Sequence, residues 1–220
     1  MRAPKPYEIA DRAIAQLNKQ AVALVNKTKR RLIVDGFDEL NVLRQVDKLY
    51  KTLDSNNRKR FKEVFVLAYT EMYLYVDGKK SLSKSEEDEI DELAEQYVAG
   101  LLDEPNEVTK YTYSAEVIRK RERAKEAVNA VIARVAKQVQ LDKALRMWSQ
   151  MTAWYTDFVW EGATVFAMKA LGIKKVVRHE RDDDKVCQVC RKADGDVYSI
   201  DKIPPKPHLN CRRWFTPHKE

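Results

Sequence analysis

The chain has 220 residues, of which 44% are apolar and 34% charged, so it can bury a sizeable core in one or two domains and is neither a miniprotein nor a disordered tail. Its 41 basic and 34 acidic residues leave a formal charge of +7, and with few glycines and prolines this mixture points to long, solvated helices with a basic bias. Such a charge attracts nucleic acid or an acidic protein surface without choosing between them.

The opening, Met1-Arg2-Ala3-Pro4-Lys5-Pro6, lacks the apolar segment of a secretion signal, and a protein made and kept in the cytoplasm is expected. From Tyr7 to Ile33, Ile14, Leu17, Ala21, Leu24 and Val25 recur at three- and four-residue steps and predict a helix with one apolar stripe, broken by Asp35-Gly36. Val42, Val46, Leu49 and Leu53 predict a second helix over 38–53, with Ser55-Asn56-Asn57 as the turn after it. A third helical run, 58–76, carries Phe61, Val64, Phe65, Ala68, Tyr69, Met72 and Tyr73 and closes at Asp77-Gly78. Ser83 followed by Glu86 fits a capping box for a helix that buries Ile90, Leu93, Tyr97 and Leu101.

Pro105, in the acidic stretch 103–107, is the best break between helical layers, and the helical body is expected over 1–172 with a possible break near 103–112. Helical pattern resumes near Ser114 through Val117, Val128, Val131, Ile132 and Val135. The run 141–170 presents Trp148, Met151, Tyr155, Phe158 and Val159 on one side and Trp154, Trp160 and Phe166 on others, so it is apolar almost all round. It is either buried centrally or packed against a partner. Asp157, Glu161 and Lys169 interrupt it, which argues against a membrane span, and Gly172 is placed to cap its end. Beyond it Ile173, Val176 and Val177, then 197–200, then Trp214-Phe215, suggest three strands. The expected fold class is mainly α: a multi-helix N-terminal body followed by a small C-terminal zinc-binding, β-containing module over 173–220.

All three cysteines lie in that module. An odd number clustered in a cytosolic chain suggests a metal and not a disulfide framework. Structural zinc takes four ligands in a tetrahedron, usually as two short pairs. Cys187-Gln188-Val189-Cys190 and His208-Leu209-Asn210-Cys211 share the same two-residue gap, with Asp194-Gly195 as a turn between them and Pro204, Pro205 and Pro207 stiffening the approach. His179 or His218 could replace His208, although neither forms a mirrored pair. A redox role for the cysteine pair lacks the thioredoxin-like βαβ surroundings it would need.

The run 181–190, Arg-Asp-Asp-Asp-Lys-Val-Cys-Gln-Val-Cys, then Asp194-Gly195-Asp196-Val197-Tyr198, then Pro207-His208-Leu209-Asn210-Cys211-Arg212, resembles the C-terminal signature of phage minor head proteins, the Mu-F-like head-morphogenesis family of tailed bacteriophages. The motif match spans about 179–217. The segment 104–111 and the helix after it are similar to members from phages of Gram-positive hosts. Many members continue Cys-Arg-Cys where this chain has Cys211-Arg212-Arg213, which leaves four ligands here. The resemblance implies a minor capsid protein acting in head morphogenesis, in several copies per virion, at the portal vertex or in the capsid interior. Its partners would be the portal protein, the major capsid protein or both, and whether packaged DNA is also bound is left open by the resemblance.

Other sites have plainer readings. Asp182, Asp183 and Asp184 in an extended loop read as a solvated turn and not as a magnesium site, and one of them could orient a metal ligand. The basic runs 27–31, 58–62 and 119–125 read as solvated faces. Arg212, Arg213 and Trp214 form a sharper candidate patch for phosphate or a partner protein. No Gly-rich phosphate loop, Ser-His-Asp arrangement or paired carboxylates stand out, so no catalysis is expected. The competing readings are a zinc-ribbon-type nucleic-acid-binding protein and, behind it, a metal-dependent nuclease, against which four protein ligands argue because they close the site.

Overall fold

A computed structural model describes residues 5–36, 38–79, 81–103, 106, 107, 109, 138–181, 186–208 and 211–218. Its described elements are mainly helical, with a small C-terminal sheet: α1 (Lys5–Asp35), α2 (Glu39–Asp77), α3 (Lys84–Leu102), α4 (Gln138–Ala170), β1 (Lys175–His179), α5 (Gln188–Lys192), β2 (Val197–Ser199), a 3-10 turn (Ile200–Lys202) and β3 (Trp214–Pro217). The helix expected from Ser114, the basic run 119–125 and the aspartates 182–184 lie outside the described residues.

Each helix end has a local cause. Asp38 caps α2 by accepting from the Asn41 N–H at 3.0 Å, and Gly78, at φ +73°, ends it in the left-handed conformation that a side chain would disfavour. At α3 the capping box forms as expected: the Ser83 hydroxyl accepts from the Glu86 N–H and the Glu86 carboxylate from the Ser83 N–H. Gly172 closes α4, also at φ +73°.

The expected turn at Ser55-Asn56-Asn57 does not exist, because α2 runs through it without a break. Serine and asparagine lower helix propensity by only a few tenths of a kcal/mol each. Packing outweighs that cost, since Leu53 and Phe61 are buried on either side and Asn57 reaches across to donate to the Thr152 hydroxyl of α4 at 3.3 Å.

Helix α4 is the central element. At its start Leu145 and Trp148 pack with Ala21, Val25 and Leu32 of α1 and Val42, Val46, Leu49 and Leu53 of α2. Further along, Tyr155, Phe158, Val159, Trp160, Ala163, Ala167 and Met168 join Phe61, Phe65 and Met72 of α2 and Ile90, Tyr97 and Leu101 of α3. Between the two readings of this helix, the structure gives central burial. Gly162 lets α3 come close, because a Cβ there would fall on the Tyr97 ring, whose hydroxyl donates to the Phe158 carbonyl at 2.9 Å. Leu93, expected in the core, is only partly buried.

The sheet has the order β2-β1-β3, antiparallel throughout, with Val176 opposite both Tyr198 and Pro217. Alternation along β1 turns Val176 and Arg178 inward. Val176, Ile200, Trp214 and Phe215 belong to the same apolar core as the helices, so position 172 marks a change of secondary structure and not the edge of a core. The N-terminus of α1 is tied to the sheet as well. The Tyr7 hydroxyl donates to the Phe215 carbonyl and accepts from the Phe215 N–H, each at 3.1 Å, and Asp11 pairs with Arg181. Among the described residues no helix is long and apolar enough to cross a membrane.

Candidate metal centre

The two ligand pairs sit on two tight turns. Cys187 is the N-cap of α5: its sulfur accepts from the Cys190 N–H at 3.4 Å, which places Sγ of both residues on one side of the turn. The Cys211 N–H donates to the His208 carbonyl at 3.1 Å and folds the second pair the same way. Gly195, at φ +87°, donates to the Arg178 carbonyl at 2.8 Å and turns the chain so that β2 returns along β1. The expected Asp194-Gly195 turn therefore forms.

The four expected ligands converge. His208 Nε2 lies 3.2 Å from Sγ of both Cys187 and Cys190, and Cys190 Sγ lies 3.6 Å from Cys211 Sγ. A tetrahedron with zinc–sulfur bonds of about 2.3 Å and a zinc–nitrogen bond of about 2.0 Å has edges of roughly 3.8 Å between sulfurs and 3.5 Å between sulfur and nitrogen. These three separations are close to those edges, and the sulfur–sulfur one is far too long for a disulfide, whose bond is about 2.05 Å. The thiols are free. Cys187, Cys190 and His208 form one mutually close set; Cys211 joins through Cys190, in a second set that includes Glu180.

Donor chemistry and electrostatics agree with a cation at this place. Burial, with Cys211 alongside, pushes the Cys190 thiol up, and burial pushes the Cys211 thiol up. The N–H of Cys190 brings the half-buried Cys187 thiol down. Thiolates crowded together away from water become favourable once a divalent cation sits among them. The cluster can therefore bind a metal ion through Cys187, Cys190, His208 and Cys211.

His179 and His218, the alternative ligands, belong to neither close set of donors. The His179 ring stacks on Trp214 at 4.1 Å between centroids, with its Nε2 2.8 Å from the Thr216 hydroxyl. His218 follows β3, where its N–H donates to the Lys175 carbonyl at 3.0 Å.

The Arg212, Arg213 and Trp214 patch is not formed as expected. Arg213 is only 4% exposed, with Nη2 donating to Glu161 Oε1 at 2.8 Å and Nε to Oε2 at 3.1 Å. Trp214, 3% exposed, packs against His179 and the Tyr7 ring. Both side chains are used inside the protein because an ion pair to α4 and an aromatic stack fix β3 to the helices. Arg212 is half-buried.

Sequence reasoning missed the charges that surround the ligands. Lys206, two residues before His208, is 0% exposed; its ammonium pairs with Asp157, lies 3.2 Å from Glu161 and donates to the Cys211 carbonyl at 3.1 Å. Burial alone would raise Glu161, but Arg213 and Lys206 outweigh it and hold the carboxyl at about 2. Burial leaves Asp157 raised. The available signal was the pair Asp157 and Glu161, four apart and the only charged residues between Arg146 and Lys169, matched by two cations flanking the second ligand pair. No protein-family model, curated protein or solved structure matches this chain.

Proposed function

We propose that this protein is a minor head protein of a tailed bacteriophage, acting in head morphogenesis with a structural zinc ion in its C-terminal module. The observation that carries the reading is the likeness of the run 181–212 to the minor head signature, supported by the convergence of its cysteines and histidine on one cluster. Zinc is favoured over other metals by the donors, since three sulfurs and one imidazole suit it better than hard cations. With four protein ligands the ion holds the fold and has no open position for substrate, so the role is structural and not catalytic.

The partners are the portal protein, the major capsid protein or both, in the capsid interior or at the portal vertex, with several copies per particle. Since α4 spends its apolar faces inside the protein, the contact surface falls to the rim of the zinc module, where Val189 and Val197 are exposed. Co-expression with the cognate portal and capsid proteins tests the reading. Retention by either, and presence in purified virions, is expected; absence from both refutes it.

The second reading, sequence-independent binding of nucleic acid, draws on α1. Between Asp11 and Asp35 that helix carries Arg12, Lys19, Lys27, Lys29, Arg30 and Arg31 and no carboxylate. The run 58–62 offers less, because Arg58 pairs with Asp54 and Asp103, Arg60 with Glu63, and Lys62 with Asp91 and Glu95. Affinity for duplex DNA falling steeply with salt, without portal or capsid binding, would favour this reading.

A further inference from the structure

We propose that Arg178 selects the ligand set of the metal centre: it holds the Glu180 carboxylate away from the ion and covers the Cys211 sulfur, so that three sulfurs and one nitrogen bind without an oxygen. This rests on the reading of the cysteine and histidine cluster as a metal centre. Alternation along β1 and its continuation puts Arg178 and Glu180 on the same side of the chain, facing inward. Both side chains are about 5% exposed.

Nε and Nη2 of Arg178 both donate to Glu180 Oε1, at 2.7 and 2.5 Å, and Nη2 also lies 3.8 Å from Cys211 Sγ. A carboxylate oxygen of Glu180 is within 4.8 Å of the sulfurs of Cys190 and Cys211. Carboxylate oxygens are ordinary zinc ligands, so this neighbour of two of the sulfurs is a competing donor. Glu180 is thus a ligand within reach that is bonded to something else.

The guanidinium supplies the competing partner. A buried carboxylate needs a cation, and Arg178 meets that need with two charge-assisted hydrogen bonds in a fixed planar geometry. Three thiolates and a divalent ion also leave one negative charge; the formal charge of Arg178 is matched by Glu180, but its Nη2–H against the Cys211 sulfur still lowers the potential locally. Hydrogen bonding to that sulfur draws electron density from it and makes it a poorer nucleophile. Residues in this position commonly change metal affinity by about 10- to 100-fold when removed.

Cobalt(II) bound in place of zinc reports the coordination directly, since a four-coordinate, sulfur-rich cobalt site absorbs strongly in the visible and a five-coordinate one weakly. The full-length wild type and Glu180→Gln are expected to give the same strong spectrum. Arg178→Met should lose intensity as Glu180 joins the ion, and the double variant Arg178→Met/Glu180→Gln should recover it. A purely structural role for Arg178 predicts no such recovery. Arg178→Gln makes the same comparison if methionine at this buried position prevents folding. The proposal is overturned if removing Arg178 leaves the spectrum unchanged, or if Glu180→Gln alone changes it, which would make Glu180 a native ligand. Failure of the wild type to take up cobalt or zinc would instead refute the metal centre itself.

Discussion

Glu161→Gln removes one charge from the network that fastens the metal module to α4 and leaves the shape of the side chain almost unchanged. Glu161 accepts from Arg213 at 2.8 and 3.1 Å and lies 3.2 Å from Lys206. The substitution strands a buried guanidinium and leaves Lys206 with Asp157 alone, and removing one partner of a buried pair costs about 3–5 kcal/mol. A second route gives a similar figure. Holding Glu161 at about 2 in place of its ordinary 4.5 corresponds to about 3 kcal/mol at neutral pH. Because the folded value is the lower one, this contribution is complete above pH 4.5 and fades as the pH falls toward 2; Asp157, raised by burial, works in the opposite sense. Thermal unfolding of the metal-loaded protein at pH 7 should show the midpoint falling by about 6–20 °C for such a loss in a chain of this size. Asp47→Asn is the control: its pair with Lys51, at 2.8 Å, is well exposed and should be worth less than about 1 kcal/mol. If Glu161→Gln costs no more than the control, the buried network does not hold the module to the helices.

The remaining predictions concern the ligands and the core. Elemental analysis of the wild type should find one metal ion per chain; Cys187→Ser, Cys211→Ser and His208→Ala should each lose it, whereas His179→Ala and His218→Ala should keep it. Removing the metal with a chelator should leave most of the far-UV helical signal, because α1, α2 and α4 bury their stripes against one another. The unfolding midpoint should nonetheless drop by roughly 10 °C, since a tightly bound ion contributes about 4 kcal/mol and the module shares the helical core. An unchanged midpoint would mean that module and helices are independent. Gly162→Ala should cost about 1–3 kcal/mol in chemical denaturation, because the added methyl meets the buried Tyr97 ring; a neutral result would show that α3 and α4 can separate freely.

The helical body and the ligands were legible in the sequence because both are written locally. Leu17, Ala21 and Val25 mark one stripe of α1 and are buried; Ser83 and Glu86 cap α3; Cys187, Cys190 and His208 come together, with Cys211 beside Cys190. What failed depended on contacts across the fold. Ser55-Asn56-Asn57 has the composition of a turn, yet Asn57 is held in the helix by its neighbours and by Thr152 of α4. Arg213 and Trp214 look like surface residues beside a metal site, and only the position of α4 and β1 turns them inward. Lys206 offered no local sign of burial at all. Its role follows from two carboxylates some fifty residues earlier in the chain, and from the loop that carries it against them.

The most direct test is X-ray absorption at the zinc edge on full-length protein purified without chelators. One zinc per chain, with three sulfurs near 2.3 Å and one nitrogen near 2.0–2.1 Å, is the predicted shell. A protein that carries no zinc, or a shell made of oxygen and nitrogen alone, would contradict the assignment of Cys187, Cys190, His208 and Cys211.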